Sequence, residues 1–368
     1  MNILYITVSF ESVQRHIFTT MKRKKQEFGV FLYGIKRIKE INGLPNEVSF
    51  FNPKWKMSLG PLFYLSHMRV IATKCMERIN CDKTDIMHGN MAFRDGILCR
   101  IISRKKGIPY IVSFRDTDFE VYYKWKLPWI RSACYNVLKD AKCIIFLSKP
   151  YMNKLLSVIP KRIRLLVREK SVVVPNGIDD FFIENRGIVK IVNSKVINII
   201  SVGKICKRKN QETSIKGVQI LRSLGYDCRL TLVGRIEDEK YYRLIKANGF
   251  VRHIDESTKE NVIEYMRESD ILIVPSRTET FGLVYAEAMS QGLPIIYTRG
   301  QGFDGQFEEG YVGFSVDCED PSEIASRVID ILNSYSTISK NCIEESARYN
   351  WSSIIDEFLE IYNCALCE

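Results

Sequence analysis

The sequence predicts an α/β protein made of two doubly wound parallel-sheet domains, and three observations carry that reading. Short, continuously apolar runs recur along the chain, each followed by a segment whose apolar residues fall at helical spacing, the alternation that buried parallel strands and crossover helices produce. At 368 residues the chain is too long for one typical domain and suits two of about 180 each. Charge divides in the same way: up to residue 180 there are 32 Lys and Arg against 15 Asp and Glu, and beyond it 22 against 28. The basic first half points to an anionic surface or a phosphate-bearing ligand.

Taken in order, the chain opens with a strand at residues 3–8, as a doubly wound domain requires. Residues 9–27 read as a loop and a helix, with Val13, Ile17 and Met21 at helical spacing. Further strands are expected at 28–33, 85–88, 110–114, 143–147 and 171–174. Ligands of such sheets gather at the carboxyl ends of strands, which selects His88-Gly89-Asn90 and Arg115-Asp116-Thr117-Asp118. His88 could bond a substrate hydroxyl or serve only the core. Arg115 stays protonated and cannot be a base, though it can hold a phosphate or orient Asp116. Residues 121–131 interleave Tyr122, Tyr123, Trp125 and Trp129 with Lys124, Lys126 and Arg131. Rings beside cations suit the headgroup layer of an anionic membrane, and Lys161, Arg162, Arg164, Arg168 and Lys170 extend that surface.

The polar stretch 184–195 is the expected linker and hinge, giving a basic N-terminal domain 1–183, a C-terminal domain 196–350 and a last helix over 351–368. The second domain restarts with a strand at 196–203, followed by the basic loop Lys204-Ile205-Cys206-Lys207-Arg208-Lys209-Asn210. Strands follow at 230–235, ending in Gly234 and Arg235, and at 250–254, with a helix over 261–269. Residues 270–298 then give a buried strand, a polar turn and a helix that stops at Gly292 before Pro294. A helix opening directly after a strand leaves unpaired N–H groups and a partial positive charge, a ready anion site formed here by Thr280, Phe281, Gly282 and Leu283. Glu279 and Glu287 bracket that helix start. Residues 299–305 read as a flexible loop, and Ser322 as the cap of a later helix.

Composition narrows the class. Eleven scattered cysteines suggest reduced thiols in a cytoplasm, and four histidines without a second CxxC argue against a metal site. No apolar run is long enough to span a bilayer, and the opening strand lacks the basic lead of a signal peptide. The expected location is the cytoplasm, with contact at the inner membrane face. The absence of G-x-G-x-x-G after the first strand disfavours a dehydrogenase.

The string SRTETFGLVYAEAMSQGLPII, from Ser276 to Ile296, resembles the E-x7-E signature of retaining glycosyltransferases of family 4, glycosyl transferases group 1, of the bacterial surface-polysaccharide type. Lys204 and Lys209 match that family's two cations after the first strand of the second domain. The resemblance implies a GT-B fold, two Rossmann-like domains facing a central cleft. It implies a metal-independent, cofactor-free enzyme that moves a sugar with retention from a UDP- or GDP-linked donor to a hydroxyl, such as a lipid-linked glycan. The donor set it implies is Gly203, Lys204, Lys209, Gly234, Arg235, Val251, Arg277, Glu279, Thr280, Phe281, Gly282, Leu283 and Glu287. Glu287 would hold the ribose and Glu279 the sugar, with Lys204 and Lys209 on the departing diphosphate. Arg115 and Asp116 stand where many members carry a catalytic-site histidine, and His88 joins them as a catalytic candidate. Ser9-Phe10-Glu11-Ser12 replaces the glycine pair common in the family's first loop. A GT-B sugar-nucleotide 2-epimerase shares the scaffold, and a nucleic-acid-binding protein fits the charge; no nucleic-acid motif supports the latter.

Overall fold

A computed structural model describes residues 1–8, 12–34, 47–52, 63–119, 127–192, 196–246 and 248–367. The loop at 9–11 and the aromatic stretch at 121–126 lie outside the described residues. The chain forms two compact units, the first from residues 1–147, 151–174 and 352–368, the second from 148–150 and 175–351.

In the first unit the elements run β1 (Asn2–Thr7), α1 (Ser12–Arg23), β2 (Glu27–Tyr33), β3 (Val48–Phe51), α2 (Tyr64–Arg78), β4 (Ile86–Gly89), α3 (Asp95–Lys106), β5 (Tyr110–Phe114), α4 (Pro128–Asp140), β6 (Ile144–Phe146), α5 (Lys149–Val158), α6 (Lys161–Glu169) and β7 (Ser171–Val173). All pairings are parallel, in the order β3-β2-β1-β4-β5-β6-β7. The chain therefore starts in the middle of the sheet and reverses between β1 and β4, so loops at their carboxyl ends diverge and leave a crevice. Strands β1, β4 and β5 are buried almost throughout, as a sheet covered on both faces demands. Edge strand β3 and helix α2 go beyond the expected elements.

The second unit contains α7 (Asp180–Glu184), β8 (Val196–Val202), α8 (Gln211–Ser223), β9 (Asp227–Val233), α9 (Glu239–Ile245), β10 (Val251–Ile254), α10 (Lys259–Arg267), β11 (Ile271–Ile273), α11 (Leu283–Ser290), β12 (Ile295–Thr298), β13 (Gly313–Val316), α12 (Pro321–Asn333) and α13 (Tyr335–Ser346). Its parallel order, β10-β9-β8-β11-β12-β13, puts the reversal between β8 and β11. The last helix, α14 (Trp351–Cys367), turns Phe358 and Tyr362 onto His88 of the first unit. Trp351 is fully buried over Gly177, where an added Cβ would stand 2.7 Å from the indole.

Three details differ from the sequence expectations. Helix α12 is capped by Asp320, whose carboxylate accepts from the N–H groups of Ser322 and Glu323; Pro321 occupies the first helical position and fixes the cap one residue before it. Residues 299–305 are bonded at both ends: Gly300 N–H donates to Asp304 at 2.7 Å, and Gly302 N–H donates to the Glu279 carbonyl at 2.7 Å. The stretch read as a linker is laced to the second unit through its described part. Gly187 N–H donates to Ser290 O, and the Lys190 ammonium donates to the carbonyls of Met266, Arg267 and Ser269.

Candidate active site

In the second unit, β8 and β9 end in facing glycines. Gly203 and Gly234 have φ of 144° and 143°, and a Cβ on Gly234 would lie 2.2 Å from the Gly203 carbonyl oxygen. Only glycine suits both the dihedral and the approach. The backbone then turns through the basic loop to Asn210, which caps α8 at φ 58°. That left-handed position explains why asparagine follows Lys209. Buried Asn210 also holds the neighbouring loops together, donating to the carbonyls of Pro275 and Cys318 and accepting from Thr213 and Arg277.

Lys209 is aimed by this turn at the loop after β11, where its ammonium meets the Glu279 carboxylate at 2.5 Å. Both side chains are mostly shielded, at 12% and 13% exposure. Arg208 stands 3.9 Å from the same carboxylate, and Ser276 donates to it at 3.4 Å. Arg277 N–H donates to Arg208 O at 2.8 Å, tying the two loops, while its guanidinium pairs with Glu319. Gln301 accepts from Glu279 N–H at 3.0 Å, and a Cβ on Gly302 would fall 2.2 Å from the Thr280 carbonyl. Asn210, Gln301 and Gly302 were not singled out from sequence. Apart from Thr213, three residues from Asn210, the partners named here lie 22 to 108 residues away, and contacts that distant leave no local pattern.

Helix α11 begins at Gly282, with φ 82° and ψ 75°. Among the described residues, no hydrogen bond occupies the N–H groups of Thr280, Phe281, Gly282 and Leu283. The Phe281 ring itself is buried against Phe303 and Tyr349. One turn into α11, Glu287 is partly buried. Burial first, and then the Asp179 carboxylate, push its carboxyl up to about 7, with Lys259 and Lys209 pulling the other way. Asp179 and Lys259 form an ion pair with each other.

The remaining donor candidates separate. The Lys204 ammonium points to Glu237 at 2.6 Å on the surface, and Arg235 reaches the same carboxylate at 4.0 Å. Val251 is placed at the wrong end of its strand. It pairs with Leu230, whereas Ile254 pairs with Val233 next to Gly234, so Val251 sits three residues, about 10 Å, back from the carboxyl end. It lines a cavity of about 500 Å³ with Arg229, Thr231 and Tyr265 instead.

In the first unit, His88 lies in the core with both ring nitrogens engaged, Nδ1 by Tyr362 Oη at 2.7 Å and Nε2 by Ser113 Oγ at 2.8 Å. Burial, assisted by Arg115, lowers its pKa to about 3 and keeps it neutral. No ring atom is left for a substrate hydroxyl, so here His88 braces β4, β5 and α14. Asp118 joins the two crevice loops, accepting from Ala92, Phe93 and Arg115 N–H groups. The Arg115 guanidinium donates to the Asn90 carbonyl at 3.0 Å, and Asp116 accepts from Tyr151 at 3.2 Å. Arg115 and Asp116 are the partly exposed members of this group.

Two sheets with this strand order, seven strands and six, define the GT-B class of fold. HepE of Anabaena, solved in complex with UDP and glucose, superposes with a TM-score of 0.70 over 99% of this chain and 100% of that one, at 16% identity. The lipopolysaccharide outer core galactosyltransferase WaaB gives 0.73 over 99% of each chain at 14% identity. Residues 184–349 match the family model Glycosyl transferases group 1. An uncharacterized glycosyltransferase of Methanocaldococcus jannaschii is 24% identical over 357 residues, covering 94% of this chain and 93% of the other. An uncharacterized 41.2 kDa protein of the Klebsiella pneumoniae cps region is 25% identical over 282 residues, 68% of this chain and 76% of that one. Together these findings support a GT-B glycosyltransferase.

Proposed function

We propose that the protein is a retaining, metal-independent glycosyltransferase that takes a sugar from a UDP- or GDP-linked donor to a hydroxyl of a lipid-linked glycan, in capsule, O-antigen or exopolysaccharide synthesis. The observation that carries this reading is the shielded Lys209–Glu279 pair beside the open N–H groups of α11. A diphosphate seated there would meet a cation and a helix start, the charge a leaving nucleoside diphosphate needs as it departs. Its arrival would also exchange partners, since Lys209 would turn from Glu279 to phosphate and free that carboxylate for the sugar's hydroxyls. Glu287 would accept from the ribose. Lys204, released from Glu237, would supply a second cation, and Arg115 and Asp116 would serve the acceptor. UDP in HepE and the cps setting of the Klebsiella relative support the donor class and the pathway class respectively.

Thermal melting with UDP, GDP and their sugar conjugates tests this directly. One nucleotide should raise the melting temperature with the logarithm of its concentration above Kd, by mass action, and Lys209→Ala should weaken that response by roughly 10- to 100-fold in affinity. No stabilisation by any nucleotide sugar, or full response in Lys209→Ala, would sink the reading. Interconversion of the donor sugar without transfer would favour the epimerase.

A further inference from the structure

We propose that the outward face of α6 is a membrane-docking face, which seats Leu165 and Leu166 in the interfacial layer of an anionic bilayer. Helix α6, KRIRLLVRE, is held to its unit by Ile163 and Val167, both buried, and it packs on α4. Leu165 is 67% exposed and Leu166 37% exposed, an unusual placing for two leucines side by side. Helical spacing surrounds them with cations: Lys161 lies four residues before Leu165, Arg162 four before Leu166, and Arg168 three after Leu165.

The structure also divides the five cations of this region by use. Arg164 donates to the carbonyls of Ser157 and Ile159, closing the end of α5, and Lys170 donates to those of Lys139 and Ala141. Lys161, Arg162 and Arg168 are exposed and, among the described residues, make no ion pair or side-chain hydrogen bond. Three unspent cations around two exposed leucines, with Glu169 the lone acid of the helix, form a short amphipathic surface whose complement is negative charge over hydrocarbon. A nucleic acid would match the charge and leave the leucines in water, whereas a bilayer of anionic lipid matches both. The face rests, for its purpose, on the membrane-borne acceptor proposed above.

Vesicle flotation of the full chain, without donor or acceptor, is the test. Wild-type protein should bind vesicles of equal phosphatidylglycerol and phosphatidylcholine, not phosphatidylcholine alone. Leu165→Asp with Leu166→Asp, and separately Arg162→Glu with Arg168→Glu, should each weaken binding by about tenfold or more. Lys83→Glu with Lys105→Glu, exposed cations elsewhere on the unit, should change it less than about twofold. Unchanged melting temperatures would show that the variants fold. The docking face is overturned if the wild type does not bind the anionic vesicles, if the leucine variant binds as well as the wild type, or if the control pair weakens binding as much. Nucleotide stabilisation, measured in parallel, reports on the enzyme reading and can fail or hold independently.

Discussion

Glu287 shows how one partly buried carboxyl couples the site to pH. Its folded pKa is raised from 4.5 to about 7, so the folded chain holds this proton more tightly than the unfolded chain does. The stability it contributes is complete below about pH 4.5, declines as pH rises, and is gone above about pH 7, with an upper limit of ~3 kcal/mol. A neutral amide carries no such dependence. Glu287→Gln should therefore melt progressively higher relative to wild type from pH 5 to 7.5, with no further gain above that, while losing nucleotide stabilisation. Parallel melting curves across that range would remove the coupling. At this scale the sequence was readable where chemistry is local: Glu279 and Glu287 stand in one recognisable string, and Lys209 in the basic loop that follows a strand. It was unreadable where a side chain's partner is set by the fold. His88 follows a strand like a site residue, yet Tyr362, 274 residues away, fills its open nitrogen.

Elements obey the same division. Buried strands such as β1, β8 and β12 announce themselves because both faces need apolar residues. Strand β3 does not, since VSFF is four residues long and half-buried throughout. Helix α12 shows a local rule applied one residue pair too late, because proline at the first helical position displaces the cap from Ser322 to Asp320. Asp320→Ala should cost about 1 kcal/mol in denaturant unfolding and Ser322→Ala only a few tenths. Equal effects would show that the cap assignment is wrong. The loop after β12 makes a sharper case. Gly302 is wedged against the Thr280–Phe281 peptide, so even a methyl group there must push the α11 entry aside. Gly302→Ala should reduce nucleotide-induced stabilisation at least about tenfold with only about 1–3 kcal/mol lost from folding. A variant that responds to nucleotide like the wild type would show that the entry tolerates displacement.

At the scale of the whole chain, the thiols offer a report on both units at once. All eleven cysteines are free; Cys364 and Cys367 are exposed, Cys318 is half-buried and the other eight are buried. Burial raises the thiols of Cys75, Cys99, Cys134 and Cys342 well above their usual range, so the reactive thiolate is scarce as well as inaccessible. A thiol reagent should label Cys364 and Cys367 at once and Cys318 more slowly, and reach the rest only when a core opens. Five of the buried eight, Cys75, Cys81, Cys99, Cys134 and Cys143, belong to the first unit, and Cys206, Cys228 and Cys342 to the second. If each core opens as one cooperative body, mass spectrometry of partly labelled protein should show the buried thiols reacting as a set of five and a set of three, each set sharing one rate. Eight unrelated rates would mean that local fluctuations, not the opening of a core, expose them. Fewer than eleven reactive thiols in denaturant without reductant would mean that a disulfide joins some of them.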